Sequence, residues 1–331
     1  MKSAKDLRIV FMGTPEFAVP SLRRIVEEGY NVVGVVTTPD RAAGRGQKIY
    51  ECDVKREAMR LGLPILQPEK LKDEEFIATL KSWDLDLGIV IAFRMLPEIV
   101  WAMPRLGTFN LHASLLPEYR GAAPINHAII NGDAKSGVTT FLLNHKIDQG
   151  AIIGQLEAEI TAEDNVGTLY DRLMNIGTDL VVESIEKVAK GDYTLIKQED
   201  IDESTLRPAP KIFKDDCLVD WSMEGRRIVN FVRGLSPYPA AWSNLTPINI
   251  DDKSTPATTT KIFEVRFEEY QPNTKRLEVG EIESDNRKYI GVGCADGVIY
   301  IESLQIAGKK RLTAEELLRG FRGITSYRAT E

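Results

Sequence analysis

Short apolar runs alternate with longer amphipathic segments over the first half of the chain. The runs are rich in valine, isoleucine and leucine and end at Gly, Pro or polar residues, which is typical of buried strands. The segments between them repeat apolar residues every three or four positions, as one face of a helix does. The pattern predicts strands at 7–12, 31–38, 63–66, 87–92, 107–111, 138–143 and 151–160. It predicts helices at 15–28, 53–61, 73–82, 98–103, 124–131 and 166–189.

This alternation predicts a doubly wound α/β domain whose mainly parallel sheet is covered on both faces. Right-handed crossovers place the carboxyl ends of parallel strands at one edge of the sheet, and ligands bind beyond that edge. The loops after Met12, Ala92 and Leu111 are expected there. We therefore expect a ligand site at this edge.

The pattern changes after residue 190. Residues 191–210 are rich in Asp, Glu, Thr and Pro and are predicted to form a linker. Beyond it, segments with period two predict short strands at 261–267, 289–293 and 298–304, and Ala295-Asp296-Gly297 between the last two is a hairpin signal. Helices are predicted at 226–234 and 313–321, the second with Thr313 as N-cap and Glu316 completing a capping box. We predict an α/β domain over 1–190 and a smaller, OB-like β-barrel over 211–331.

Composition narrows the class of protein. The chain has 331 residues, of which 43% are hydrophobic and 27% charged, as in globular domains. No apolar run is long enough to predict a membrane span, and the first residues lack the apolar core of a signal peptide. The three cysteines are far apart, so no disulfide framework or cysteine metal site is predicted. A reducing cytoplasm is the expected location.

Charge is unevenly distributed along the chain. The net charge is -7, yet residues 206–331 carry 19 cationic and 18 anionic side chains. Local basic patches can therefore exist inside an acidic protein. The polar loop 39–48, which we expect to be disordered without RNA, carries Arg41, Arg45 and Lys48, and a second cluster contains Lys309, Lys310 and Arg311. Each is either a solvated surface or a contact for a polyanion such as RNA.

The stretch Asn110-Leu-His-Ala-Ser-Leu-Leu-Pro117 carries the main candidate chemistry. It contains His112, one of only three histidines, and imidazole suits proton transfer near neutral pH. The Asn110 amide can donate to a developing oxyanion without titrating. Ser114 lacks a nucleophile-elbow pattern and is better explained by a turn. A hydrogen-bonded loop histidine and an ordinary turn asparagine are the structural alternatives.

Asp148 is the second candidate, because it follows an apolar strand and is expected in a loop near the same sheet edge. A carboxylate there can orient His112 and accept a proton. An ordinary turn aspartate is the alternative. Gly13-Thr14-Pro15 is an incomplete dinucleotide fingerprint, and His127 and His145 show no metal-ligand spacing, so no metal site is predicted.

The chain resembles the methionyl-tRNA formyltransferase family nearly from end to end. The Asn-x-His-x-Ser-Leu-Leu-Pro motif is specific for enzymes that use 10-formyltetrahydrofolate, and less specific for the acceptor of the formyl group. Further matching segments are 8–17, 38–48, 110–125, 137–140, 147–150, 160–164, 167–171, 220–221 and 305–310. One departure is Gln149, where many members have Thr.

The resemblance implies formyl transfer from 10-formyltetrahydrofolate to the α-amino group of initiator methionyl-tRNA, without a metal. It implies that Asn110, His112 and Asp148 are catalytic. The implied folate-binding residues are Ser114, Leu115, Leu116, Pro117, Phe93, Arg94, Met95, Leu96 and Pro97. Residues 1–190 would be the catalytic domain and 211–331 a tRNA-binding domain. The implied tRNA contacts are Arg41, Arg45, Lys48, Lys309 and Lys310.

The expected mechanism is direct attack of the amine on the formyl carbon, with Asn110 and protonated His112 stabilising the tetrahedral oxyanion. We expect a monomer that acts in translation initiation. Three alternatives remain open. They are a formyltransferase for an amino-sugar nucleotide or another small amine, a nucleotide-dependent oxidoreductase, and a non-catalytic RNA-binding protein.

Overall fold

A computed structural model describes residues 3–43, 48–191, 193–198, 201–248 and 257–330, without the side chains of 42, 43, 48 and 49. The described chain divides into two compact units. The first contains the residues up to Pro124 together with Lys135–Glu159 and Tyr170–Ala209, and the second contains Ile125–Ala134, Ile160–Leu169 and the chain from Pro210. The predicted domain limits 1–190, 191–210 and 211–331 stay a prediction.

Within the described residues, the first unit contains nine strands, of which seven form one sheet. The strands are β1 (Ile9–Gly13), β2 (Val32–Val36), β3 (Arg41–Ala43), β4 (Lys48–Tyr50), β5 (Ile65–Leu66), β6 (Leu87–Ile91), β7 (Thr108–His112), β8 (Lys135–Leu142) and β9 (Ile152–Glu159). The helices of the first half of the chain are α1 (Val19–Glu27), α2 (Asp53–Arg60), α3 (Glu74–Ser82), α4 (Glu98–Trp101), α5 (Pro124–Ile130) and α6 (Val166–Lys190).

The sheet order is β5-β2-β1-β6-β7-β8-β9. The first five strands in this order are parallel, whereas β8 pairs with β7 and β9 with β8 in antiparallel fashion. Every residue of β1 and β6 is buried, because helices cover both faces of the parallel part. The prediction of a doubly wound, mainly parallel sheet is confirmed.

The second unit contains an antiparallel sheet that closes on itself. Its strands are β10 (Ala241–Pro247), β11 (Thr258–Glu269), β12 (Ile282–Glu283), β13 (Gly291–Gly293), β14 (Gly297–Ile306), β15 (Leu312–Thr313) and β16 (Tyr327–Thr330), and its later helices are α7 (Gly225–Leu235) and α8 (Ala314–Leu318). The order is β12-β13-β14-β11-β10-β16, with β15 beside β14. An antiparallel bridge between Glu281 and Arg328 links the two ends of this order. The predicted small β-barrel is therefore confirmed.

Side chains of α7 and the strands form the core of this barrel. Ile228 and Val232 from α7 pack with Ile262, Ile299 and Ile301 in one buried cluster. The capping box predicted for the last helix is present, because Thr313 and Glu316 bond each other's backbone N–H groups. Strand β10 was missed by the sequence pattern. Its inward-facing Ser243 accepts a hydrogen bond from Trp221 Nε1 at 3.0 Å. Because this inward position is polar, the alternation of apolar and polar residues that predicts a strand is interrupted.

A buried carboxylate paired with two half-exposed arginines joins α1 and α2 in the first unit. The carboxylate of Glu57, on α2, is 7% exposed and lies 2.7 Å from both Arg23 Nε and Arg60 Nη2. The hydrogen bonds from Arg60 and Arg23 lower the pKa of Glu57 to about 2. A carboxyl group whose pKa is lowered on folding stabilises the folded state at pH values above its unfolded pKa.

We predict that Glu57→Gln lowers the melting temperature at pH 7, because the substitution removes a paired buried charge. The difference from the wild type should shrink as the pH falls from about 4.5 towards about 2, where the wild-type carboxylate is itself protonated. Thermal melts at pH 7 and pH 3 test this. An equal difference at both pH values would contradict the assignment of the stabilisation to the ionised carboxylate.

Candidate active site

Strand β7 carries Asn110 and His112 to the middle of the mixed sheet. It pairs with β6 through Val90 opposite Asn110, and with β8 through Thr139 opposite His112. Side chains two residues apart on a strand share one face, so Asn110 and His112 point to the same side of the sheet. The alternate residue, Leu111, is buried on the other side.

The imidazole of His112 is buried, with 7% of the residue exposed. Its Nε2 lies 2.9 Å from the backbone oxygen of Tyr119. A carbonyl oxygen can only accept, so Nε2 carries the hydrogen in this contact. The other ring nitrogen, Nδ1, lies 3.9 Å from Asp148 Oδ2, which is longer than a hydrogen bond. The structure therefore brings His112 and Asp148 together, with Nδ1 facing the carboxylate.

Asp148 reaches His112 by a route that the sequence did not predict. We expected Asp148 in a loop near the carboxyl edge of the parallel strands, because it follows an apolar strand. Because β8 is antiparallel to β7, β8 instead ends with Leu142 opposite Phe109, near the amino end of β7. The loop between β8 and β9 must therefore run back along β7 to place Asp148 beside His112. Asp148 nevertheless lies beside His112, the last residue of β7, which agrees with the expected position near this edge.

Two backbone features hold this loop in place. Asp148 Oδ2 accepts a 3.0 Å hydrogen bond from the backbone N–H of Gly121, in the loop after β7. Asp148 itself has a positive φ of 54°, and Gly150 approaches the strand so closely that a Cβ there would lie 1.6 Å from the Leu142 oxygen. The close packing requires glycine at position 150.

Asn110 is half-buried on the same face as His112. Its carboxamide has no hydrogen-bond partner among the residues that the structure describes. An amide N–H₂ without a protein partner is available as a donor to a bound molecule. The arrangement therefore places one free amide donor, one imidazole and one carboxylate close together.

The segment from Ser114 to Pro117 folds back against β8. Ser114 Oγ donates to the backbone oxygen of Glu118 at 2.7 Å, which supports a turn role for this hydroxyl. Thr139 Oγ1 accepts from the N–H of Leu116, whose side chain is buried beside Phe141. Leu115 lies against Gly137, where a Cβ would come within 2.4 Å of the leucine Cδ2 atom. The buried side chain of Leu116 thus supports the loop.

Residues 93–97 follow β6, so their loop starts at the same edge of the sheet as the loop after β7. Arg94 Nη1 donates to the Glu69 oxygen at 2.8 Å, and Nη2 donates to the Pro68 oxygen. Burial lowers the pKa of the Arg94 guanidinium, and its buried Nε has no partner within the described part of the chain. The remaining residues differ in exposure: Leu96 is buried, Phe93 and Pro97 are half-buried, and Met95 is 74% exposed.

The predicted tRNA contacts fall in both units. Arg41 is exposed at the start of β3, and β3 pairs with β4 through Ala43 and Lys48. We expected disorder throughout loop 39–48. The strand pairing shows that this expectation is wrong for residues 41–43 and 48. Arg45 lies outside the described residues, as does the Lys48 side chain. Lys309 and Lys310 are exposed between β14 and β15.

Sequence reasoning missed residues that support the site from the segment 191–210. Gln198 is 5% exposed and bonds to the loop that carries Asp148. Arg207 lies over the Tyr119 ring, 4.7 Å from its centre. A cavity of about 480 Å³ is lined by Gln198, Ile201 and Glu203 and by residues flanking Asp148, namely Asn144, His145, Lys146 and Gln149. The polar composition of the segment concealed these contacts.

The described residues contain neither a metal-binding cluster nor a membrane-spanning helix. No group of three or more His, Cys, Asp or Glu side chains there could hold a metal ion. Within the same ranges, no helix combines the length and apolar character needed to cross a bilayer. The three cysteines are buried and free.

Comparisons with known proteins agree with this architecture. A family model described as formyl transferase matches residues 7–185, and one described as formyl transferase, C-terminal domain, matches residues 211–322. The chain belongs to the formyl transferase family. Methionyl-tRNA formyltransferase of Bacteroides thetaiotaomicron is 53% identical over 98% of both chains. The Flavobacterium johnsoniae protein of that name is 48% identical over 96% of both.

Solved structures share the fold of this formyl transferase at lower identity. A sugar 3N-formyl transferase crystallised with dTDP and 5-N-formyl-THF has a TM-score of 0.61 and 20% identity, covering 92% of this chain and 99% of the other. HypX from Aquifex aeolicus, in complex with tetrahydrofolic acid, has a TM-score of 0.61 and 17% identity, covering 94% of this chain and 47% of HypX. These similarities establish the fold alone.

We predict that Gly150→Ala destabilises the first unit, because the new Cβ would overlap the Leu142 oxygen and displace the Asp148 loop. Gly320→Ala is a matched control, since a Cβ there meets no atom within 4 Å and its φ is not positive. Thermal melting should show a loss of about 1–3 kcal/mol for the first variant and little change for the second. Equal melting temperatures for Gly150→Ala and the wild type would contradict the close packing.

Proposed function

We propose that this formyl transferase moves the formyl group of 10-formyltetrahydrofolate to the α-amino group of methionyl-tRNA, as a step of translation initiation. The observation that carries the proposal is the cluster of Asn110, His112 and Asp148 on one face of the sheet. The curated relatives named methionyl-tRNA formyltransferase support the choice of acceptor, because they match nearly the whole chain at about half identity.

In the proposed reaction, the neutral amine attacks the formyl carbon and a new carbon–nitrogen bond forms. Asn110 donates to the oxyanion that develops on the formyl oxygen. Nε2 of His112 is already bonded to the Tyr119 oxygen, so Nδ1 is the nitrogen that faces the reaction. In the imidazolium form, Nδ1–H is a second donor to the oxyanion and then supplies the proton that the folate nitrogen takes as its bond to the formyl carbon breaks.

Asp148 has two roles in this proposal. At 3.9 Å from Nδ1, its carboxylate faces the charged ring of the proposed step without forming a hydrogen bond to that N–H. The Nδ1–H therefore stays available to the substrate. The carboxylate is also placed to accept, through a water molecule, the proton that the attacking amine loses.

The loops at the carboxyl edge have features suited to a folate. Arg94 Nε and Thr14 Oγ1 are buried there without partners in the described part of the chain, so each has hydrogen-bonding capacity left for a ligand. Phe93 and Met95 supply apolar surface in the loop after β6. We infer that residues 93–97 and 114–117 bind the folate, with Leu116 acting as support rather than as a contact.

Cationic side chains from both units are proposed to provide the surface for tRNA. We infer that Arg41, Arg45 and Lys48 act near the acceptor end and that Lys309 and Lys310 contact the tRNA from the barrel. Such phosphate contacts make binding weaken steeply as salt rises. A protein that uses methionyl-tRNA would work in the cytoplasm, and we expect it to act as a monomer.

An amino-sugar nucleotide is the second candidate acceptor, because the shared fold extends to a sugar 3N-formyl transferase. The deciding experiment supplies 10-formyltetrahydrofolate with either methionyl-tRNA or an amino-sugar nucleotide. We predict formyl-methionyl-tRNA as the product, at a rate that falls with added salt. Formylation of the sugar alone would overturn the proposed acceptor, and formylation of neither would overturn the proposed function.

We predict that Asn110→Ala raises the barrier to formyl transfer by about 3 kcal/mol, a rate loss of roughly 100-fold, because one oxyanion donor is removed. His112→Ala should lower the single-turnover rate by at least a similar factor while folate binding changes little. His127→Ala is the matched control, because that imidazole bonds to the Pro210 oxygen. Unchanged single-turnover rates in the first two variants would show that these residues are not catalytic.

A further inference from the structure

Gln198 uses its whole carboxamide to join the two loops of the candidate site. Its Nε2 donates to the Gly150 oxygen at 2.7 Å and to the Asp148 oxygen at 3.1 Å. Its Oε1 accepts from Arg120 Nη2 at 2.9 Å. The residue is 5% exposed, so these contacts are shielded from water. Both amide hydrogens and the amide oxygen are therefore engaged.

The partners of Gln198 lie next to the groups that fix His112. Arg120 stands between Tyr119, whose oxygen accepts from His112, and Gly121, whose N–H donates to Asp148. Asp148 and Gly150 belong to the opposite loop. The Gln198 side chain thus bridges the loop that holds the imidazole and the loop that holds the carboxylate.

The backbone of Asp148 needs such an anchor. Its φ of 54° lies in the left-handed region, which is unfavourable for a residue other than glycine. Gln198 Nε2 donates to the carbonyl oxygens of Asp148 and Gly150, and these two hydrogen bonds restrain the turn on both sides of residue 149. A carboxylate in place of the amide would have no hydrogen to donate to either carbonyl.

We propose that Gln198 is a positioning residue for formyl transfer. It acts through Asp148, by keeping the carboxylate at its place beside His112 Nδ1. The inference rests on the proposed function, because the effect is exerted on that reaction. Displacing a reacting group by about 1 Å can lower a rate about 100-fold, so loss of this anchor should be visible in kcat.

The test is a double-substitution cycle with Gln198→Met and Asp148→Asn, assayed with 10-formyltetrahydrofolate and methionyl-tRNA. Gln198→Met keeps the length of the side chain and removes its hydrogen bonds. Alone, it should lower kcat by about 10-fold to about 100-fold and leave both KM values near those of the wild type. In the Asp148→Asn background it should cause no further loss, because the group it positions is already gone.

Gln271→Met is the matched control, since Gln271 is exposed on the barrel and its Nε2 lies 3.5 Å from the Glu269 oxygen. It should leave kcat unchanged. If Gln198→Met does not fold, Gln198→Glu replaces it in the same cycle, because the carboxylate keeps the size and the contact to Arg120 but loses the donors.

The outcomes separate this inference from the proposed function. An inactive wild-type protein would overturn the proposed function itself. With an active wild type, an unchanged kcat in the Gln198 variant would overturn the positioning role. Equal losses with and without the Asp148→Asn substitution would also overturn it, because they would show a general structural effect.

Discussion

The 3.0 Å hydrogen bond from the Gly121 N–H to Asp148 Oδ2 joins the loop after β7 to the loop after β8. The geometry of the candidate site depends on this contact. The first loop also provides the Tyr119 oxygen that fixes His112, so one short stretch of backbone orients both the imidazole and the carboxylate. A backbone donor is well suited to this task, because it has no side-chain rotamers to restrict.

The mixed sheet explains why such a contact is possible. Its parallel strands deliver the loops after β1, β6 and β7 to one edge, whereas the antiparallel β8 ends beside the start of β7. The loop after β8 places Asp148 beside His112 and against the loop after β7. Glycine at position 150 lets this loop pack against Leu142. The site is thus built on buried strands, and hydrogen bonds join the loops that surround it.

The sequence predicted most of the parallel sheet because its strands are continuous apolar runs bounded by turn residues. It did not predict the direction of β8, because this strand is nearly continuously buried and so has the same apolar pattern as its parallel neighbours. It missed β10, where the inward Ser243 interrupts the apolar pattern. These elements needed long-range pairing information that a local pattern does not contain.

The site was predicted in part. Asn110, His112 and Asp148 stood out by residue type, and the structure places His112 beside Asp148, while their catalytic roles stay a prediction. The support from Gln198 could not be predicted, because a polar segment with two prolines is typical of a linker. Only the fold shows that its side chain is buried against both loops.

The most direct test concerns the hydrogen on the His112 ring. The structure requires the neutral ring to carry its hydrogen on Nε2, bonded to the Tyr119 oxygen, with Nδ1 facing Asp148. Nuclear magnetic resonance of the histidine ring nitrogens distinguishes the two tautomers, and substitution of His127 and His145 assigns the signals. We predict the Nε2–H tautomer for His112. An Nδ1–H tautomer would contradict this arrangement, and with it the proposed role of Nδ1 in formyl transfer.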